Sequence, residues 1–188
     1  MVTRILLLFL LALPAHAADV AGVKLPDRDR VGGVELVLNG AGLRKRAFFQ
    51  VYAAGLYLPE RKTAAADVLA ATGPKRVAMH MLRDVPADQF AGALSDSLKA
   101  NHSDAEMRAF DARVIQLITA MNGIGEAKTG MRITLDWLPE SGLQLTANGK
   151  PLGAPIAGED FYRALLKSWI GDKPVQDDLK KALLGEKP

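Results

Sequence analysis

The sequence has no cysteine among its 188 residues. That excludes a disulfide framework, a thiolate zinc site, an iron–sulfur cluster, a cysteine nucleophile and a lipid-anchored N-terminal cysteine. Aromatics are scarce, at 6%. Excess charge is scarce too: 24 basic residues stand against 21 acidic ones, a net charge of +3. So small an excess gives no basic stripe for a nucleic-acid backbone, and no nucleic-acid partner is expected. Long hydrophobic runs are missing after residue 13, so no transmembrane anchor is expected in the processed chain. What is present is a 49% hydrophobic chain with 17 Gly and 10 Pro, the composition of a globular protein.

The first residues read as an export signal. Arg4 gives a short positive start, Ile5 to Leu13 is a nine-residue apolar run, and Ala15-His16-Ala17 is a small-x-small cleavage pattern. The run is too short to cross a bilayer, which takes roughly 20 apolar residues. The expectation is a signal peptide over 1–17, cleavage after Ala17 and a periplasmic protein. About 170 residues then remain, enough for one domain with one sizeable core. Residues 18–31 read as an irregular lead-in and 32–188 as the domain.

Val31 to Gly40 alternates like a strand and closes on Asn39-Gly40, a turn signal. Leu43 to Leu58 is long enough for a bent strand or hairpin, with Gly55 as the expected kink. Ala64 to Ala71 reads as a short helix and Lys75 to Leu82 as a strand with Val77, Met79 and Met81 on one face. Phe90, Leu94 and Leu98 form one helical stripe. Ser103-Asp-Ala-Glu106 is a capping box opening a second helix striped by Met107, Phe110, Val114, Leu117 and Met121. Strands return at Met131 to Leu138 and at Leu143 to Leu145, with Asn148-Gly149 as a tight turn. A helix from Glu159 to Ile170 is stopped by Gly171, and Pro174 opens a last one. This order predicts an α+β fold: an antiparallel sheet with a layer of helices on one face.

Chemistry-bearing residues are few. The processed chain keeps two histidines. His80 lies in a strand, as a packed or edge residue, and His102 lies in the loop before the capping box. His102 and Asp104 are two metal ligands without a third, so no metal is expected. No G-x-S-x-G motif is present. Gly40-Ala-Gly42 begins like a dinucleotide loop, but Lys45 stands where the third glycine belongs, and no cofactor is expected. More informative are Arg44, Lys45 and Arg46 inside a strand pattern. Alternation puts Arg44 and Arg46 on one face and Lys45 on the other. On a regular strand Arg44 shares its face with Phe48, Tyr52 and Leu56. A guanidinium among such neighbours is suited to hold an anion. The spacing equally allows a solvated arginine, or one paired with an internal carboxylate such as Asp84.

Three motifs in order resemble the chalcone isomerase-like family. Gly40-Ala-Gly-Leu-Arg44 followed by Phe49-Gln-Val-Tyr-Ala-Ala-Gly-Leu-Tyr57 is similar to its G-x-G-x-R and V-Y-x-x-G-L-Y stretch. Arg83-Asp84-Val85 is similar to its R-D-[IV], and Phe161 to Gly171 to its C-terminal helix. The match runs over roughly residues 32–185 and is nearest the bacterial secreted members. It implies an open-faced sandwich with a cleft between sheet and helices. In the plant enzymes an arginine, hydroxyls and an ordered water close a chalcone to a flavanone. Arg44 matches that arginine, and Tyr52 falls where the family has a threonine. These two are the candidate catalytic residues. Lys99 matches a cleft lysine. Met107 and Val114 replace a water-holding tyrosine and an asparagine, so chalcone cyclisation is not expected. The resemblance instead implies a non-catalytic binder of a small amphipathic anion such as a fatty acid, with Arg44, Tyr52, Phe48, Lys99 and Met107 as ligand-binding residues. The alternative is an intramolecular lyase or isomerase on an unknown substrate. The oligomeric state is left open.

Overall fold

The computed structural model describes residues 17–186. The expected signal peptide lies outside the described residues except for Ala17. Eleven strands and five helices are present among the described residues. The short strands β1 (Ala17–Val20) and β2 (Val23–Pro26) pair with each other. Next come β3 (Arg28–Val31), β4 (Val34–Arg46), β5 (Phe49–Leu58), α1 (Ala65–Ala70) and β6 (Lys75–Met81). The strand β7 (Val85–Pro86) leads into α2 (Ala87–Asn101) and α3 (Asp104–Asn122). The chain continues through β8 (Glu126–Ala127), β9 (Arg132–Leu138), β10 (Gly142–Ala147), β11 (Lys150–Ile156), α4 (Glu159–Ile170) and α5 (Asp177–Leu183). Seven strands form one antiparallel sheet in the order β11-β10-β9-β6-β5-β4-β3.

The period-2 pattern of β6 and β9 decides which face is covered. Val77, Met79 and Met81 on β6, with Ile133, Leu135 and Trp137 on β9, join the main hydrophobic cluster. That cluster is completed by Leu94 and Leu98 of α2, Leu117 of α3 and Leu165 of α4. The alternate residues face the other way. There Tyr57 and Ala78 pack with Leu25, Val31, Leu36 and Leu38 in a second, smaller cluster. The capping box forms as expected, Ser103 Oγ accepting from Glu106 N while the Glu106 carboxylate takes Ser103 N at 2.8 Å. The Asn148-Gly149 turn carries positive φ at both residues, the geometry such a two-residue hairpin needs.

Four local expectations are corrected. Asn39-Gly40 is not a turn but a register shift inside β4. Its amide has better partners in the fold, donating to Leu183 O at 2.8 Å and accepting from Lys62 N at 2.6 Å. Gly55 is no kink, since it pairs regularly with Ala41 and Ala78. The reversal in this stretch comes at Ala47-Phe48, with Ala47 at φ 53°. Residues 18–31 are not irregular: they supply β1, β2 and β3, because Leu25 and Val31 are needed to cover the second face. The last helix begins at Asp177 rather than Pro174.

Candidate functional site

The main cluster does not close completely. Between the sheet and the helix layer lies a cleft of about 590 Å³, within the usual size range of small-molecule sites. Its floor is sheet: Tyr52 of β5, Met79 of β6, Ile133 and Leu135 of β9 and Leu145 of β10. Its roof is helix: Phe90 and Leu94 of α2, Met121 of α3 and Trp169 of α4. Arg44, Arg46 and Phe49 from the β4–β5 hairpin, with Arg83 and Asp84 from the segment after β6, stand at one end.

Arg44 reaches this place through strand parity and two glycines. Gly40, Gly42 and Arg44 lie on one face of β4. A Cβ on Gly40 would sit 2.1 Å from Ala182 O, and one on Gly42 would sit 2.7 Å from Ala182 Cβ. The two bare positions therefore let α5 lie directly on the strand, and the next residue of the row, Arg44, emerges beyond that helix. A second register shift at Arg44/Lys45 is clamped by Gln176 at the start of α5. Its side chain accepts from Lys45 N at 2.8 Å and donates to Leu43 O at 3.2 Å. Arg44 itself is half-buried and donates through Nη1 to Lys45 O, with Gln176 Oε1 at 3.5 Å. Among the described residues it pairs with no carboxylate. Asp84 is engaged elsewhere, accepting from Thr129 N at 2.7 Å and Thr129 Oγ1 at 2.8 Å.

Tyr52 is the direct cross-strand partner of Arg44. Its hydroxyl accepts from Trp169 Nε1 at 3.0 Å, and its ring meets Phe90 edge-on at 6.3 Å. Burial raises its phenol above the ordinary tyrosine value, while the Trp169 bond and the Arg44 charge pull the other way without overcoming it. The phenol is thus a neutral hydrogen-bonding group at neutral pH, not a base. It is the only hydroxyl lining the cleft among the described residues.

The other three expected ligand-binding residues lie elsewhere. Phe48 is fully exposed at the hairpin turn, because the chain reverses there and ends the alternation that was to align it with Arg44. Lys99 is on the exposed side of α2. Met107, in the first turn of α3, packs at the margin of the main cluster and does not line the cleft; Val114, one face of the same helix, is core. From α3 only Met121 reaches the lining. His80 points to the opposite face beside Arg132, where burial and that arginine keep its pKa down. His102 caps α2, its Nδ1 2.9 Å from Leu98 O. Trp169, Phe90 and Arg83 were missed as site residues. Phe90 reads in sequence as an ordinary helix-stripe residue and Trp169 only as part of the Phe161–Gly171 helix motif, and the packing of α2 and α4 around the cleft is what distinguishes them.

The comparisons agree with this architecture. Residues 17–185 match the family described as chalcone isomerase-like, so the match begins with the strands before residue 32. No curated protein matches the sequence. Among solved structures, the crystal structure of a fatty-acid binding protein from Arabidopsis thaliana is similar, with a TM-score of 0.68 and 17% identity. The similarity covers 90% of this chain and 96% of that one. With the sheet order, the helix layer and the arginine-ended cleft in place, the family match over nearly the whole described chain settles its membership: the protein belongs to the chalcone isomerase-like family.

Proposed function

We propose that the protein binds a small amphipathic anion of the fatty-acid kind, carboxylate on Arg44 and chain in the cleft, and that it does so in the periplasm. The observation that carries this is Arg44: a half-buried guanidinium with no carboxylate partner among the described residues, at one end of an apolar cleft. A partly desolvated cation gains most from an anion that brings its own apolar body with it. Leu94, Met121, Ile133, Leu135 and Leu145 offer that body a surface without competing donors. A protein of the same fold being a fatty-acid binder supports the ligand class. The export signal over Met1–Ala17 supports the compartment.

One experiment tests both parts. Native mass spectrometry of protein from a periplasmic extract is expected to show a chain beginning at Ala18 with a copurified carboxylate. Calorimetric titration with palmitate follows. Arg44→Ala is expected to weaken binding by about 1.5–3 kcal/mol, the range for a charge-assisted hydrogen bond. Arg44→Lys recovers part of it, because an ammonium cannot make the forked contact. Equal affinities for wild type and Arg44→Ala would make the arginine structural and overturn the proposal. The second reading, an intramolecular lyase or isomerase, rests on the Tyr52 hydroxyl, which accepts from Trp169 and belongs to the cross-strand partner of Arg44.

A further inference from the structure

The two-residue turn between β4 and β5 carries a feature the fold does not use. Phe48 is 100% exposed and Phe49 58%, whereas Phe110 and Phe161 are buried in the main cluster. Two adjacent phenylalanines at the tip of a hairpin are an uncompensated cost in water. Cations ring them. Lys45 and Arg46 precede the turn, Arg44 stands one residue further back, and the Arg83 guanidinium lies over the Phe49 ring at 4.2 Å from its centre. None of the four is in an ion pair among the described residues. Asp84, which lines the same end of the cleft, has its carboxylate occupied by Thr129. Arg46, Phe49 and Arg83 also line the end of the cleft, so the tip and the cleft mouth are one structure.

We propose that this hairpin tip docks the protein on an anionic phospholipid surface. Phe48 enters the boundary between headgroups and acyl chains, while Lys45, Arg46 and Arg83 lie on lipid phosphates. The chemistry matches: aromatic rings are stable at that boundary, and basic side chains keep their charge at the headgroup level while their stems follow the ring inward. Positive charge beside a negative leaflet adds attraction that falls off within a Debye length. The shape also favours a bilayer over a protein partner. A stable protein interface needs roughly 800 Å² from each side, and a two-residue turn is a convex point that offers far less. Docked in this way, the cleft mouth faces lipid, and an apolar chain passes between bilayer and cleft without crossing open water. Docking itself needs no ligand and stands apart from the proposed carboxylate binding.

The test is sedimentation with vesicles, using protein from Ala17 onward. That chain contains every described strand and helix but not the apolar run Ile5–Leu13, which would bind lipid by itself. Wild type is expected to sediment with vesicles of equal phosphatidylglycerol and phosphatidylcholine and to stay in solution with phosphatidylcholine alone. Phe48→Ser is expected to lower partitioning about tenfold, the loss of most of one phenylalanine's burial. The double variant K45E/R46E is expected to lower it at least about tenfold, and added salt to weaken wild-type binding. Because Phe48 lies outside the cleft lining, F48S keeps wild-type affinity for palmitate. Wild type that ignores the anionic vesicles, or F48S that sediments as wild type does, would overturn docking. Vesicle binding without palmitate binding would sustain docking and sink the carboxylate proposal; palmitate binding without vesicle binding would do the reverse.

Discussion

At the scale of single residues, the proposed binder and the enzyme reading make different demands on Tyr52. Closing a chalcone needs a phenolate stabilised, an enolate protonated and water held in place, each such contact contributing typically about 10²–10⁴-fold in rate. The cleft offers one hydroxyl, raised in pKa by burial and already bonded to Trp169. Met79, Leu94, Met121, Ile133 and Leu135 of the lining offer water no hydrogen bond, and the other polar side chains of the cleft are Arg44, Arg46, Arg83, Asp84 and Gln89. The sequence expectation rested on Met107 and Val114, but these residues do not line the cleft, so the expectation rests instead on its largely apolar wall. Purified protein is expected to leave chalcone absorbance unchanged beyond the buffer rate. Turnover well above buffer that disappears in Arg44→Ala would show that Arg44 is required for catalysis and favour the enzyme reading.

At the scale of elements, α5 and β4 act as one unit. Backbone, not a flexible side chain, fills the space above Gly40: Ala182 O at 2.1 Å and Leu183 O at 2.6 Å from an added Cβ. Above Gly42 the nearest atoms are the side-chain carbons Ala182 Cβ and Leu179 Cδ1. Gly40→Ala must therefore lift the helix by the larger amount, whereas Gly42→Ala meets the end of Leu179, which can turn away, and Ala182 Cβ at 2.7 Å, which yields only with the helix. Overpacking of this kind costs typically about 1–3 kcal/mol, and Gly40→Ala is expected to be the more destabilising of the two in urea unfolding. Its palmitate affinity is expected to fall as well, because lifting α5 withdraws Gln176 from Lys45 N and Leu43 O, the bonds that hold the strand at Arg44. If both alanine variants unfold with the wild-type midpoint, the glycines are not what seats the helix.

At the scale of the molecule, the two faces of the sheet differ in how far charge contributes. The helix face is held mainly by apolar burial, with one ion pair across it from buried Lys75 of β6 to Glu159 of α4 at 2.9 Å. The opposite face combines its small cluster with a charge network: Arg76 Nε donates to Asp136 Oδ1 at 2.6 Å, Arg76 Nη1 lies 2.7 Å from Asp29, and Arg132 also pairs with Asp29. Asp29 thereby ties the edge strand β3 to the central strands β6 and β9. Burial pushes its carboxyl up, but the hydrogen bond and charge of Arg76, with Arg132, bring it below the ordinary 3.8. A carboxyl depressed in the folded state stabilises above its unfolded pKa, and that stability is lost as pH falls through the folded value. Asp29→Asn is expected to be less stable than wild type at neutral pH by about 1.5–3 kcal/mol. The gap closes as pH falls below 3.8 toward the lower folded value. Urea midpoints measured against pH check this; a gap that stays constant into acid would mean that the carboxylate charge contributes nothing.

The α+β class, the antiparallel sheet and most element positions were legible because they depend on local signals. The alternation in β6 and β9, the Ser103 capping box, the Asn148-Gly149 turn and the Gly171 stop each follow from neighbouring residues. The family motifs led to Arg44 and to Tyr52; the alternation that was to align the two assumed one continuous strand, and the hairpin instead makes them cross-strand partners. Tertiary structure decided the rest. Ala47-Phe48 carries no turn chemistry, so the reversal there is imposed by pairing Arg46 with Phe49 across the hairpin. That reversal moves Phe48 out of the cleft and onto the tip. Asn39-Gly40 carries strong turn chemistry, yet long-range partners in Leu183 and Lys62 hold it inside a strand. Strands β1 to β3 are short and polar along the chain, and only the apolar patch around Tyr57 and Leu38 gives them a surface to cover. Lys99 and Met107 carried no local mark of where α2 and α3 would turn them, because a helix's rotation about its own axis is set by what it packs against.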